Sequence, residues 1–224
     1  MSDPRHAPDG PSQPAPRMTE AEARVVAHYR ELWLQHGDAP QSLDWSGAMT
    51  QQRRFAVLAD GLDLHGRRVL DVGCGLGHLA DWLQQSGVEA QYTGLDLTPD
   101  LLSAASRRHP QHRFVLGSVL DAGVLRGERF DVVLSSGLFY TYPEGGMAWL
   151  QSAVARMWSW TDQVLAFNSL STWASRREAG EFQADPTEVL RWCGTLSTRL
   201  LLRHDYHDGD FTVQMFRGAA ADRR

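Results

Sequence analysis

The stretch Val69 to Leu83, VLDVGCGLGHLADWL, places an acid, Asp71, two residues before the first of three glycines at alternate positions, Gly73, Gly75 and Gly77. Glycines so spaced let a chain leave a strand through a tight turn and bring its backbone close to a ligand. The neighbours indicate the ligand's chemistry. Asp71 would repel a pyrophosphate and attract a cation. A dinucleotide turn also needs a small residue at the sixth position of its glycine pattern, and here that position is His78. Further along, YTGLDLTP sets Asp96, followed by Leu97, at the end of an apolar run, where a carboxylate accepts hydrogen bonds from both ribose hydroxyls. A nucleoside with a positively charged appendage fits this set.

These residues need a scaffold, and the apolar pattern supplies one. Strand-like segments fall at 68–72, 91–95, 113–116, 130–134, 164–168, 199–202 and 211–216, with helical patterns after most of the first five. Such alternation implies a parallel sheet with helices on both faces. The link between the last two strands is short and polar, too short for a crossover helix, so they must form an antiparallel hairpin. The expected fold is α/β: a doubly wound, seven-stranded, mostly parallel sheet with one reversed strand in a C-terminal hairpin. Ligands of such sheets sit beyond the carboxyl ends of the strands, where Val72 delivers the chain into Gly73. Helices are expected over 18–36 and 51–60, with the loop HGDAPQSLDW between them. A third starts near Thr187, with Asp185 able to cap it, Pro186 at its first position and Glu188 at the capping-box position.

Composition narrows the possibilities. The 224 residues are 42% hydrophobic, enough for one substantial core. With 22 basic and 27 acidic residues the net charge is -5, which gives no footprint for nucleic acid or an anionic membrane. No apolar run approaches the roughly 20 residues of a membrane span, and the N-terminus lacks the apolar core of a secretory signal. Cys74 and Cys193 make neither a disulfide framework nor a zinc spacing, and the expected compartment is the cytoplasm. The first 17 residues hold five prolines and almost nothing to build a core, and are expected to be a disordered tail. Residues 18–66 are expected to form a helical lid and 67–224 the ligand-binding domain.

The acid, the alternating glycines and Asp96 together resemble the class I S-adenosylmethionine-dependent methyltransferases, with the similarity running from about Arg67 to Arg217. The resemblance implies a Rossmann-like methyltransferase fold with S-adenosyl-L-methionine as cofactor. It implies that Asp71 and the glycine loop face the methionine moiety, that Asp96 holds the ribose, and that Ser118 and Val119, with Asp121 nearby, pack on adenine. Many relatives carry an acid where this chain has Ser118. At the end of the fourth strand, LSSGLFYTYPEGG brings Ser135, Ser136 and Gly137 beside the sulfonium, with Leu138, Phe139, Tyr140 and Tyr142 beyond. Aromatic faces there stabilise positive charge by about 1–2 kcal/mol when desolvated. The Asn/Asp-Pro-Pro-aromatic signature of enzymes acting on a DNA base or glutamine amide is missing from this position.

Asn168 and Ser169 end the fifth strand near the same mouth. The sixth runs parallel to the others, so its end points His204, Asp205 and Tyr206 toward the acceptor. Tyr140, His204 and Asp205 are the expected catalytic residues. His204, Asp205 and His207 also have metal-ligand chemistry, but neighbours on a strand alternate faces, and no metal site is expected. Other segments resemble a bacterial subgroup of these enzymes in which the part matching Asp44 and Trp45 lids the cofactor. Methylation of a small molecule, of the kind met in natural product biosynthesis, is the leading expectation. The alternatives are cyclisation of S-adenosylmethionine to azetidine-2-carboxylate, with Tyr140, Tyr142 or Trp173 cradling the sulfonium, and a non-catalytic binder. The expected partner is a small-molecule acceptor or S-adenosylmethionine alone, on a monomer or homodimer.

Overall fold

The computed structural model describes residues 18–44, 47–142 and 145–218. The expected tail at 1–17 and Trp45 lie outside the described residues. Strands β1 (Arg68–Val72), β2 (Gln91–Asp96), β3 (Arg113–Leu116), β4 (Phe130–Ser135), β5 (Thr161–Leu170), β6 (Arg199–Arg203) and β7 (Asp210–Phe216) form one sheet in the order β3-β2-β1-β4-β5-β7-β6. Strands β1 to β5 pair in parallel with their neighbours, and β7 pairs antiparallel with both β5 and β6. β6 therefore points the same way as β1 to β5, as the hairpin argument requires.

The period of two along β1 sends Val69 to one face and Leu70 to the other, and both are fully buried. On one side Val69, Val132, Leu134 and Ala166 pack with Phe55 and Leu58 of α2 (Ala48–Leu58), Leu79 and Leu83 of α3 (His78–Gln85) and Leu102 of α4 (Pro99–Arg108). On the other side Leu70, Val72 and Val133 pack with Leu150 and Met157 of α5 (Gly146–Trp160) and Val189 and Cys193 of α6 (Pro186–Cys193). Between β3 and β4 the chain crosses without a helix, and Val119, Val124 and Leu125 fill that part of the layer. The sheet is thus doubly wound, and its strand order reverses between β1 and β4, the place where such sheets take ligands.

Two N-terminal elements cover the ligand side: α1 (Glu20–His36) and a short 3-10 helix (Pro40–Leu43) within the expected loop. α1 begins in a capping box that the sequence spells as Thr-Glu-Ala-Glu. The Thr19 hydroxyl accepts from the Glu22 amide (3.2 Å) and the Glu22 carboxylate accepts from the Thr19 amide (2.8 Å). α6 starts where the capping pattern set it, with the Asp185 carboxylate accepting from the amides of Thr187 and Glu188. Replacing Thr19 by alanine should cost about 1 kcal/mol, the ordinary value of such a cap. A fall in the thermal midpoint checks this, and an unchanged midpoint would mean that α1 is held by packing alone. Among the described residues no helix is long and apolar enough to cross a membrane.

Candidate active site

β1, β2 and β4 end at one cavity of about 90 Å³. Its lining includes Asp71, Gly73, Gly75, Asp96, Leu97, Ser118, Val119, Ser136 and Gly137, the expected cofactor residues apart from Gly77. Gly77 sits one step outside. It is the N-cap of α3 at φ +77°, and a Cβ there would lie 3.1 Å from the His109 ring, so a bare backbone lets the chain turn into the helix.

The loop from β1 is built around two carboxylates. Gly73 donates its amide to the Leu95 carbonyl (2.8 Å), and Gly75 donates to Asp96 Oδ2 (2.8 Å). Asp96 Oδ1 accepts from the Thr98 amide (2.8 Å), so this carboxylate ties the glycine loop to the end of β2. Burial raises its pKa, against the pull of those two amides. Asp71 is 3% exposed and accepts from the Tyr92 hydroxyl (2.7 Å). Burial pushes its pKa up to about 7; the Tyr92 hydrogen bond opposes this and the charge of Asp96 adds to it. A buried carboxylate without a cation at a cavity wall is suited to an ammonium or sulfonium ligand. Gly75 has φ +52°, and a Cβ on it would come within 2.6 Å of Leu43 in the 3-10 helix. The backbone therefore has to be bare where the N-terminal segment lies on it.

α1 contributes residues that sequence reasoning missed. Val25 and Tyr29 line the cavity, and Glu22, one turn earlier, receives a hydrogen bond from the Ser118 side chain. Burial opposes the ionisation of Glu22, but hydrogen bonds from Ser118 and Thr19 outweigh it and hold the carboxyl below its ordinary value. An acid thus reaches the β3 loop from α1. The spacing Glu22, Val25, Tyr29 was the available signal, because residues three and four apart share a helix face. Tyr142 and Trp149 also line the cavity, stacked at 3.9 Å.

A second cavity of about 290 Å³ adjoins the first, and Leu43 and Gly137 line both. Asn168 holds the boundary: its Oδ1 accepts from the Gly137 amide (2.9 Å) and its Nδ2 donates to the Ser136 hydroxyl (2.9 Å). Tyr140 lines this second cavity, with its hydroxyl 2.7 Å from that of Tyr29 and donating to Asp44 Oδ2 (3.2 Å). Burial pushes its pKa far above the ordinary phenol value, and Tyr29 and Asp44 push the same way. Tyr140 therefore stays protonated and serves as a hydrogen-bond donor, not as a base.

The other two expected catalytic residues stand elsewhere. His204 Nε2 lies 2.7 Å from the Ser171 hydroxyl with its ring stacked between Trp173 and Phe211. Asp205 is exposed and held by Arg203 (2.7 Å), which keeps its pKa below the usual value. Neither residue lines either cavity. The reason is topological: β7 inserts between β5 and β6, so the end of β6 lies at the sheet edge, one strand away from the mouth. The hairpin reaches the second cavity instead through His207, Gly209 and Asp210. Asp210 is buried in contact with the buried Arg54 of α2 and lies 3.2 Å from His207 Nδ1. Trp173 is 52% exposed and lines neither cavity, and Phe139 is packed into the core against Phe167 and Trp149. Among the described residues no group of three or more His, Cys, Asp or Glu side chains is arranged to hold a metal ion.

Residues 69–159 match the family model described as "Methyltransferase domain". The chain is 32% identical over 117 residues to the phthiotriol/phenolphthiotriol dimycocerosates methyltransferase of Mycobacterium leprae, a match covering 50% of this chain and 43% of that protein. It is 26% identical over 153 residues to a putative methyltransferase of Mycobacterium tuberculosis, covering 64% and 89%. The chain thus spans less than half the length of the first relative. Among solved structures, magnesium protoporphyrin IX methyltransferase from Synechocystis PCC 6803 with bound S-adenosylmethionine superposes with a TM-score of 0.66 at 16% identity, covering 92% of this chain and 100% of that one. With an acid-and-glycine turn at the β1/β4 switch point and a matching family model over residues 69–159, this chain carries a methyltransferase domain similar to the class I S-adenosylmethionine-dependent methyltransferases.

Proposed function

We propose that this protein transfers the methyl group of S-adenosylmethionine to a small-molecule acceptor. The observation that carries the reading is the pair of adjoining cavities: one walled by the Asp71 and Asp96 carboxylates, the other reached by Asp44, Tyr140, Asn168 and Glu181, both lined by Leu43 and Gly137. The donor set suits the cofactor. The buried Asp71 answers a cationic amino acid moiety, Asp96 answers a ribose, and Ser118, Val119 and Glu22 answer adenine. When bound, the cofactor supplies a sulfonium methyl already activated for attack. The chain's own residues position and shield. Asn168 fixes the Ser136–Gly137 corner, Tyr142 and Trp149 give an aromatic wall, and Tyr140 donates to Asp44 at the side of the acceptor cavity.

Residues 18–66 serve as the lid over the binding domain at 67–224. The first cavity holds about 90 Å³, less than the roughly 300 Å³ at which ligand pockets begin. α1 and the 3-10 helix, which put Tyr29 and Leu43 over the glycine loop, must therefore move aside to admit the cofactor. The protein works in the cytoplasm, as a monomer or homodimer.

A cyclase would need no acceptor space, yet a second cavity adjoins the first, and the family model and named relatives are methyltransferases, so cyclisation finds no support. Incubation with trideuteromethyl-labelled S-adenosylmethionine and a metabolite extract separates the two reactions. Methyl transfer yields S-adenosylhomocysteine and an acceptor heavier by the labelled methyl. Methylthioadenosine formed without any acceptor would overturn the reading.

A further inference from the structure

The second cavity has a charge pattern that bears on its occupant. Four carboxylates from three parts of the chain line it: Asp44 after the 3-10 helix, Glu178 and Glu181 in the link between β5 and α6, and Asp210 at the start of β7. Of the cations in the wall, Arg54 and His207 are both turned to Asp210. Arg176 and Glu178 are both exposed, and among the described residues no ion pair joins Arg176 to either glutamate. Asp44 is met by the neutral Tyr140 hydroxyl and by His28 at 3.5 Å. Glu181 is half-buried, and its pKa is raised first by burial and then by the charges of Glu178, Asp44 and Asp210. The link that carries both glutamates is pinned, by the pairing of Ser171 with Ala184 and by the Phe182 amide donating to the Tyr140 carbonyl (2.9 Å). The lining carboxylates outnumber the lining arginines four to two, and an acidic chamber that adjoins the methyl-donor cavity calls for a positive ligand.

We infer that the acceptor is a small primary or secondary amine that enters as its ammonium, is held by Glu181, Glu178 and Asp44, and is methylated on nitrogen; this rests on the methyl-transfer reading above. Glu181 takes one proton from the ammonium. The freed lone pair forms the new nitrogen–carbon bond as the carbon–sulfur bond breaks, with that bond's electrons left on sulfur as S-adenosylhomocysteine. The product leaves as an N-methylammonium, and Glu181 returns its proton to water. A raised glutamate pKa suits this step, because a stronger base takes the proton more readily.

The experiment uses matched probes on the full chain saturated with S-adenosylhomocysteine: benzylamine, benzyl alcohol and benzoate, with the 2-phenylethyl and cyclohexylmethyl equivalents, their affinities read by ligand-observed NMR. The amines should bind at least about tenfold more tightly than the matched carboxylates, through attraction on one side and like-charge repulsion on the other. That preference should shrink with added salt and collapse in the Glu178→Gln, Glu181→Gln double variant. If that variant fails to fold, the preference and its salt dependence in the unaltered protein still decide. Carboxylates or alcohols binding as well as amines, or no probe binding to protein that does bind S-adenosylhomocysteine, overturns the amine proposal alone. Protein that does not bind S-adenosylhomocysteine at all overturns the methyl-transfer reading beneath it.

Discussion

Replacing Asp96 by alanine should lower the affinity for S-adenosylmethionine by about 30- to 150-fold, the roughly 2–3 kcal/mol that accompanies loss of a charged hydrogen-bond acceptor. Two effects add. The ribose loses its carboxylate, and the amides of Gly75 and Thr98, both at 2.8 Å from it, lose their acceptor, so the glycine turn is no longer tied to β2. Asn should retain part of the affinity, because its amide oxygen still accepts from one backbone amide. Calorimetric titration checks this. An alanine variant that binds as tightly as the unaltered protein would remove Asp96 from the site and leave it only a structural tie.

The affinity should also climb with pH, by about tenfold per unit up to pH 7 and then level off, because a cationic ligand needs Asp71 ionised and its pKa is near 7. Between pH 5 and the plateau above pH 7 this amounts to about a hundredfold. The sign for folding is opposite. An unfolded aspartate titrates near 3.9, so the folded, ligand-free protein holds the Asp71 proton more tightly. This group's contribution to stability is therefore greatest below about pH 4, falls as pH rises toward 7, and is level above that. Replacing Asp71 by asparagine should weaken cofactor binding and flatten its pH dependence, while raising the thermal midpoint of the ligand-free protein at pH 8. Unchanged pH dependence in that variant would mean that some other group controls binding.

Most of the lining that β1 and β2 give the first cavity was legible in the sequence, because it is local. The turn from β1 and the end of β2 each lie within a few residues, and parallel pairing of Val72 with Leu95 brings them together. The strand boundaries agree within a residue or two, except that β5 runs from Thr161 to Leu170 where 164–168 was expected. The extra residues are gained at both ends: Thr161 follows directly on α5, and Leu170 pairs with Asp210 of β7. That pairing is the feature the sequence did not spell out. A hairpin at the chain's end fixes that β6 and β7 are antiparallel but not which of them lies beside β5. With β7 inside, His204 and Asp205 fall at the edge, and the polar residues that reach the mouth are His207 and Asp210. The acceptor cavity was illegible for a related reason. Asp44, Arg54, Tyr140, Glu181 and Asp210 come from five distant segments, and no spacing rule connects them.

The measurement that tests the central claim most directly is a side-by-side calorimetric titration of the purified protein with S-adenosylmethionine, S-adenosylhomocysteine and NADH at pH 8. The acid-and-glycine turn with a buried, cation-seeking Asp71 predicts saturable one-to-one binding of the two adenosyl ligands and none of the dinucleotide. Tighter binding of NADH, or no heat with either adenosyl ligand, would contradict the assignment of the first cavity and the function built on it.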